Sequence, residues 1–304
     1  MSLLVVGSVA LDSVETPFGA RENALGGSAT YFAAAASLLT RVGVVGVIGD
    51  DFPLEQIEFL RRRGVDLGGL ASVPGRTFRW KGKYGFDLNT AQTLDTQLNV
   101  FEHFEPRLSP QARKAERIFL GNIDPVLQFR VLEQVESPRL VAADTMNYWI
   151  SSKRSDLLKV LQRVDVLLVN DAEARQLAGE PNIVRAAHAI QRMGPKAVVI
   201  KRGEYGALLC SEQETFHAPA FPVAEVIDPT GAGDSFAGGF LGLLDRTGRG
   251  DVATLRQAVI MGATIASFTV ERFSLDRLRD LRLEEVQTRV TAFRALTHFD
   301  EVTL

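Results

Sequence analysis

The sequence predicts an α/β fold, a doubly wound and mainly parallel sheet with helices on both faces, carrying a small β-sheet lid. Two observations predict the sheet. Short apolar runs alternate with longer amphipathic ones almost from end to end, which is the pattern of strand–helix–strand units. Most of the apolar runs are rich in Val, Ile and Leu without strict alternation, as expected of strands buried on both faces. A third observation predicts the lid. From Arg76 to Phe101 the rhythm breaks, with Phe78, Trp80 and Tyr84 on one parity and Thr77, Arg79, Lys81 and Lys83 on the other. A period of two with one polar face describes an antiparallel strand wetted on one side.

Taken in order, the strand candidates are "LLVVGSV", "VGVVGVI", "RIFLG", "RLVAAD", "DVLLVN", "AVVIKRG" and "GALLCS". Helical spacing falls in "GGSATYFAAAASLLTR", "PVLQFRVLEQVE" and "NIVRAAHAIQRMG". The cluster Arg61, Arg62 and Arg63 closes the amphipathic stretch "PLEQIEFLRRRG" before Gly64, where cations suit a helix C-terminus. Thr93 to Phe101 alternates again, with Leu94, Leu98 and Val100 on one face. The lid is placed at about residues 11–25 and 74–106, on one domain of 1–304.

Composition narrows the function. With 304 residues, 46% hydrophobic and 23% charged, the chain is an ordinary globular protein with a large core. A net charge of -3 supplies no basic field for nucleic acid. The start "MSLLVVGSVALD" lacks a basic segment and a long apolar run, so a cytoplasmic protein without a membrane partner is expected. Cys210, the single cysteine, reads as a buried strand residue in a reducing compartment.

Several chemistries are absent. There is no G-x-x-x-x-G-K-[ST] phosphate loop. "GAGDSFAGG" fails the dinucleotide fingerprint because Phe236 holds its sixth place. His103, His188, His217 and His298 lie far apart, in no metal-ligand spacing.

The most informative stretch is "IDPTGAGDSFAGGF", Ile227 to Phe240. Asp228 precedes Pro229, which holds it extended. Thr230, Gly231, Ala232 and Gly233 form a turn, and a helix starting near Asp234 would aim free N–H groups and a positive dipole end at one spot, suited to a phosphoryl group. Asp234 is either the helix cap or a reacting carboxylate; glycine at the flanking positions favours close approach of a ligand.

This stretch resembles the C-terminal signature of the ribokinase (PfkB) family of carbohydrate and nucleoside kinases. The resemblance runs through the chain in the family's order: "LLVVGSVALD", then "GGSATYFAAAASLLTRVGVVGVIGDDF" with its Gly-Gly and Gly-x-Asp, "VNDAE" as Asn-x-x-Glu, and "VVIKRGEYGA" as Lys-x-Gly-x-x-Gly. It implies a ribokinase-like fold and an ATP-dependent, Mg²⁺-requiring transfer to an alcohol.

Residue by residue, the resemblance makes Asp234 the base that takes the acceptor's proton, with Gly231, Ala232 and Gly233 forming the anion hole. Positioning and charge neutralisation matter more to this transfer than basicity. Asn170 and Glu173 would order Mg²⁺ through water; their spacing also reads as a capping box. Lys201, Gly203 and Gly206 would lie under the ATP phosphates with Thr230, although the two glycines also suit a plain β-turn. The late helix around Ala258 to Thr269 would shape the adenine pocket. Asp12 would grip sugar hydroxyls beside the Gly26-Gly27 pair, or cap the turn "LDSVETP". Asn122, Asp144 and Asn147 stand past strand ends, where open sheets bind ligands.

Two departures from the family's pattern bear on the acceptor. Tyr31 stands where many sugar kinases have Asn in Gly-Gly-x-x-x-Asn, and "DTMNYWI" replaces the Asp-Pro-Asn of fructokinase-like members. The "GGSA" start is similar to inositol kinase-like members. The resulting expectation is phosphorylation of a small sugar or cyclitol, the alternatives being a nucleoside kinase or a silent kinase-like binding protein. Phe78, Trp80 and Tyr84 would stack on a ring or pack the lid's inner face. A K⁺ ion near Asp228 and Thr230, and a homodimer through the lid, are further expectations from the family.

Overall fold

The computed structural model describes residues 2–298 and Asp300. The chain opens with strand β1 (Leu3–Val6), leaves it for a hairpin of β2 (Ala10–Thr16) and β3 (Gly19–Gly26), and returns through helix α1 (Ser28–Ala36) to β4 (Val42–Gly49). A short helix α2 (Glu58–Arg62) leads to β5 (Asp66–Val73), followed by a second hairpin, β6 (Phe78–Tyr84) and β7 (Ala91–Gln97). Strands and helices then alternate through β8 (Arg117–Leu120), α3 (Pro125–Gln134), β9 (Leu140–Asp144), α4 (Asn147–Ser152), α5 (Arg154–Leu161) and β10 (Val166–Asn170). Next come α6 (Asp171–Ala178), α7 (Ile183–Gln191), β11 (Ala197–Lys201), β12 (Ala207–Ser211) and β13 (Thr215–Ala218). The helices α8 (Ala232–Thr247), α9 (Val252–Thr269), α10 (Asp276–Asp280) and α11 (Leu283–Thr297) follow.

Among the described residues these strands form a large sheet in the order β13-β12-β11-β10-β9-β8-β1-β4-β5, parallel from β11 to β5 with antiparallel β12 and β13 at one edge. Adjacent side chains on each strand feed opposite cores. Leu3, Val5, Phe119 and Leu168 join α1, α8 and α9 on one face, while Leu4, Val6, Leu120 and Leu167 join α3, α5 and α7 on the other. The chain builds outward from β1 through β4 to β5, then returns to β8 on the opposite side of β1. That reversal opens a crevice beyond the strands' C-terminal ends, where open sheets bind ligands.

All seven apolar runs are strands, and the four strands not read from the sequence have physical reasons. β5 is an edge strand whose Gly69 lies so close to β4 that a Cβ there would stand 2.6 Å from the Val44 carbonyl oxygen. β3 is polar and mostly exposed, β2 sits in the apolar opening only in part, and β13 is a short edge strand. The helix α9 is long and apolar enough by length and composition to cross a membrane. Its apolar side is spent on α8: Gly262 admits the Phe236 ring, and Gly239 faces the Met261 carbonyl.

The second sheet has the order β3-β2-β6-β7. β6 is antiparallel to β7, as the period of two requires, but it pairs with β2 in parallel, which joins the two separate segments into one sheet. The alternation expected through Phe101 stops earlier. β7 ends at Gln97, Leu94 and Leu98 are nearly half exposed on this edge, and Asn99–His103 forms a 3₁₀ turn that stacks Phe101 on Phe78. Arg63 is also more than a solvated helix end. Its guanidinium donates to the carbonyls of Ala34, Leu278, Arg279 and Leu281, tying three helix ends together.

The two sheets are joined where β4 ends. Asp51 accepts from the Thr77 amide and hydroxyl, each at 2.7 Å, and from Arg79 at 2.7 Å, while the Thr77 hydroxyl accepts from the Gly49 amide at 3.0 Å. Thr77 is fully buried, so losing its hydroxyl strands a buried amide. Thr77→Val should lower unfolding free energy by about 1–3 kcal/mol in a denaturant titration, with Thr77→Ser nearer wild type; equal midpoints for all three would remove this junction from the account.

Candidate active site

Strand register sets the centre of the site. Asn170 pairs with Lys201 across β10 and β11, and Leu168 pairs with Asp144 across β10 and β9, so three polar side chains emerge side by side at the sheet's C-terminal edge. Lys201 Nζ donates to Asp144 Oδ2 at 2.7 Å, with both side chains nearly buried. Burial pulls the Lys201 ammonium down, but Asp144, Glu173 and Asp234 more than offset this and hold it above its usual range.

Asp234 lies over this pair. The helix α8 begins one turn earlier than its carboxylate suggests: the N-cap is Gly231, at φ 74°, and no side chain caps the end. Asp234 is therefore an interior residue of the first turn, and the reading of it as the helix cap is corrected. Its carboxyl is pushed up to about 7, chiefly by burial and then by Asp144, with Lys201 opposing. The Ala232 amide turns back to the Pro229 carbonyl at 3.2 Å, and Ser235 bonds to Gly231. That leaves the Gly231, Gly233 and Asp234 amides to face an anion, so Ala232 contributes backbone shape to the expected hole in place of its N–H.

The glycines of the turn do different work. At Gly231 a Cβ would collide with the Tyr31 ring, and at Gly233 it would lie 3.0 Å from Lys201 Nζ. Gly238 and Gly239 admit α1 and α9 and touch no ligand space. The room made at Gly231 is thus filled from below by a side chain, against the expectation that it serves ligand approach. Tyr31, only 2% exposed, is the floor of the turn. Its phenol is held well above the usual range by burial and then by Asp228, Asp12, Tyr84 and Asp234.

On the acceptor side, Asp12 of β2 lies against Gly26 of β3, where any Cβ would overlap its carboxylate. Gly27, at φ 93°, caps α1, and a Cβ there would meet the Ser8 carbonyl. Asp12 is pushed up to about 7 by burial and Asp228, the Gly27 amide opposing and Asp234 adding. It caps no turn in "LDSVETP"; it points into the site. Asn122, at the end of β8, accepts from the Trp149 indole at 3.1 Å, and Asn147 accepts from the Tyr148 amide.

Asp228 is buried and spans two segments. It accepts from the Thr230 amide at 2.9 Å and the Ser274 amide at 3.0 Å. Asn170 and Glu173 form the capping box of α6, each side chain accepting from the other's amide at 2.8 Å. Glu173 is pushed up to about 7 by burial and Asp144, with Lys201 opposing. Gly203 and Gly206 both take positive φ, 53° and 86°, in the turn between β11 and β12.

The site thus brings together Asp12, Asp144, Glu173, Lys201, Asp228, the 231–234 turn and Tyr31. Asp144 is more central than its place past a strand end suggested. Tyr84 was read only as lid packing or ring stacking, yet its hydroxyl stands 3.4 Å from Thr230 Oγ1, facing Asp228, Asp12 and Asp234. Parity marked it as inward; nothing in the sequence gave its reach. Phe78 and Trp80 do pack within the small sheet, Trp80 over Gly82.

The geometry suits Mg²⁺ in one way only. Among the described residues no cluster of three metal-binding side chains occurs, so an all-protein cage is absent. A carboxylate destabilised as an anion at Glu173, beside Asp144, fits a hydrated ion carried by phosphates, which needs one or two such groups.

Comparison with known proteins agrees with this architecture. The pattern shared by the pfkB family of carbohydrate kinases matches residues 3–279. A cytidine kinase of Thermococcus kodakarensis is 32% identical over 247 residues, 79% of this chain and 87% of that one. A solved E. coli structure with ATP and Mg²⁺ bound superposes with a TM-score of 0.78 at 20% identity, over 96% of this chain and 99% of that one. A Burkholderia thailandensis nucleoside kinase in complex with inosine gives 0.78 at 20% identity, over 97% and 99%. At that identity the two structures show the fold.

The raised carboxylates predict a pH effect on stability. Asp12 and Asp234 titrate near 7 when folded and near 3.8 otherwise, so their stabilising contribution is complete below about pH 4 and is lost as pH rises through 7. The ceiling is about 4 kcal/mol per group. Ligand-free Asp12→Asn should therefore melt higher than wild type at pH 8, with the lead shrinking as pH falls and gone below about pH 4; a wild-type lead at pH 8 would refute the raised values.

Proposed function

We propose, on the premise that this chain belongs to the pfkB family of carbohydrate kinases, that it transfers the γ-phosphoryl group of ATP to a hydroxyl of a ribonucleoside, cytidine being the first candidate. The observation that carries the acceptor is the similarity, 32% over most of both chains, to a cytidine kinase. The site is compatible with it. Asp12, half-neutral and set against Gly26 and Gly27, can accept from and donate to the neighbouring hydroxyls of a ribose.

In this reading the acceptor hydroxyl lies between Asp12 and Asp234. Its oxygen attacks the γ-phosphorus, the bond to the β-bridging oxygen breaks, and ADP leaves. The proton passes to an Asp234 carboxylate oxygen, a transfer favoured by a carboxyl that titrates near 7. The Gly231, Gly233 and Asp234 amides and the start of α8 meet the charge spread over the phosphoryl oxygens. Lys201 reaches the Gly233 edge of the same turn and can bind the phosphates once Asp144 releases part of its hold. Asn170 and Glu173 would hold the water shell of a Mg²⁺ ion, which when bound would supply neutralisation of the polyphosphate. A monovalent cation beside Asp228 and Thr230 would use the lone pairs that the two amides leave free. The small sheet acts as a lid that keeps water from the γ-phosphorus.

A sugar or cyclitol acceptor is the second reading, favoured by the family's carbohydrate description and the Asp12 diol hook. It and the nucleoside reading are separated by a panel of cytidine, uridine, inosine, adenosine, ribose, fructose and myo-inositol, scored by ADP release and phosphorylated product. Cytidine should lead in kcat/KM by at least about tenfold over free ribose; a preference for ribose or inositol would overturn the nucleoside assignment.

Asp234→Asn keeps the shape and removes the base. It should lower kcat by at least about 10³ while ATP binding, followed by calorimetry, stays within a few fold. A variant that keeps a tenth of wild-type turnover would show that Asp234 is not the proton acceptor.

A further inference from the structure

The tip of the β6–β7 hairpin belongs to the acceptor-side sheet, yet it rests on the opposite side of the site. Asn89, at this tip, places its amide oxygen where a Cβ of Gly203 would be, and its Nδ2 donates to Glu204 Oε1 at 3.4 Å. Gly203 and Glu204 form the 3₁₀ turn that follows Lys201. Five residues before Asn89, on the same hairpin, Tyr84 meets Thr230 of the catalytic turn. One hairpin therefore touches both turns that surround the transferring phosphate, at points separated in the chain by β12, β13 and the loop that follows them and brought together only by the fold.

The chemistry of Asn89 suits this position. A neutral amide can donate to Glu204 without adding charge beside a polyphosphate, whereas a lysine would compete for the phosphates and an acid would repel them. Gly203 is at φ 53°, so its missing side chain serves two needs at once, the backbone turn and the seat for Asn89. The rest of the hairpin tip shows no comparable hold. Phe86 is 97% exposed, and the Leu88 amide bonds only within the tip, to Gly85.

We propose that Asn89 is a positioning residue for the nucleotide. By seating on Gly203 and Glu204 it fixes the turn beneath the phosphates when the hairpin is down, and so makes ATP binding and acceptor binding cooperative. The hairpin's down position is favoured by the acceptor through Tyr84 and by the nucleotide through Asn89, and each ligand lowers the cost of ordering the hairpin for the other. This rests on the ATP-dependent reading of the site and, for its second half, on the nucleoside acceptor proposed above.

The test uses the full chain and the variants Asn89→Ala, Glu204→Ala, Glu204→Gln and the double alanine variant. Asn89 and Glu204 are exposed, and unchanged melting temperatures establish that each variant folds. Titration of Mg·ATP by calorimetry, first without acceptor, needs no knowledge of the acceptor: Asn89→Ala should weaken binding about threefold to tenfold, and the double variant no more than either single alanine change. Glu204→Gln keeps an acceptor oxygen and should stay near wild type. In the presence of cytidine, with a non-hydrolysable ATP analogue in place of ATP so that no transfer occurs, the wild type should bind the nucleotide more tightly and Asn89→Ala should lose that gain. In turnover the loss should appear in the KM for ATP and in a raised ratio of ATP hydrolysed to acceptor phosphorylated, with kcat within about threefold. ATP affinity, the cytidine effect and the hydrolysis ratio all within twofold of wild type in Asn89→Ala would overturn the proposal. If cytidine proves not to be an acceptor, the acceptor-free titration still decides the role of Asn89, while the nucleoside reading alone falls.

Discussion

The site is organised around a shortage of positive charge. Asp144, Glu173 and Asp234 act on one ammonium group, that of Lys201, while the buried Asp12 and Asp228 act on each other with no such cation between them. Three of these carboxyls are pushed up to about 7 as a result, with burial first and a neighbouring carboxylate second in each case. Such a place repels a bare polyphosphate and accepts one that arrives with its own cation. The same crowding gives Asp234 a proton affinity matched to neutral pH without any histidine in the site.

What holds the carboxylates in place is backbone far more than other side chains. Asp144 and Lys201 are fixed by strand register, and Asp234 by the first turn of a helix that starts on a left-handed glycine. Asp228 is tied down on both oxygens by amides, and through it the catalytic turn is coupled to the 270–276 segment. Ser274, whose amide reaches Asp228, donates its hydroxyl to the Leu25 carbonyl of β3 at 2.5 Å, next to the Gly26 that abuts Asp12. The catalytic turn and the acceptor strand therefore share one support. Displacing that support would move the 228–234 turn and the strand beside Asp12 together, which preserves their mutual geometry better than two separate mountings would.

The large sheet was legible because its strands are buried on both faces and so carry uninterrupted apolar runs, from Leu3–Val6 to Ala207–Ser211. The strands that escaped notice lie at edges or in the small sheet, where β3 reads as polar and the pairing of β2 with β6 is parallel and long-range. In the site, the 228–234 turn was legible because glycine beside a carboxylate is costly unless the backbone or a neighbour requires it, whereas Asp12, with no glycine beside it, was marked only by the family resemblance. The central place of Asp144 was not, since its partner Lys201 is 57 residues away and only register unites them. Tyr84 and Asn89 were hidden for the same reason: a hairpin's sequence specifies its pleat, and what its tip reaches is decided by the distant elements it folds against.

Tyr31 shows how a departure from a family pattern can change a site without touching a ligand. A phenol in place of a short amide is too large to stand beside a hydroxyl, and it has instead gone under Gly231, 2% exposed, with its ring filling the space a Cβ would take. Its hydroxyl remains within the field of Asp228, Asp12 and Asp234, which together with burial keeps it protonated. The amide's recognition of an acceptor hydroxyl is thereby exchanged for a rigid floor beneath the anion hole. In the proposed reading discrimination among acceptors falls to other groups, among them Asp12, suited to any vicinal diol, and Tyr84, carried on the hairpin. An acceptor that extends beyond a ribose ring toward that hairpin gains contacts a free sugar cannot make, which is why the lid, more than the strand ends, should decide what this enzyme phosphorylates.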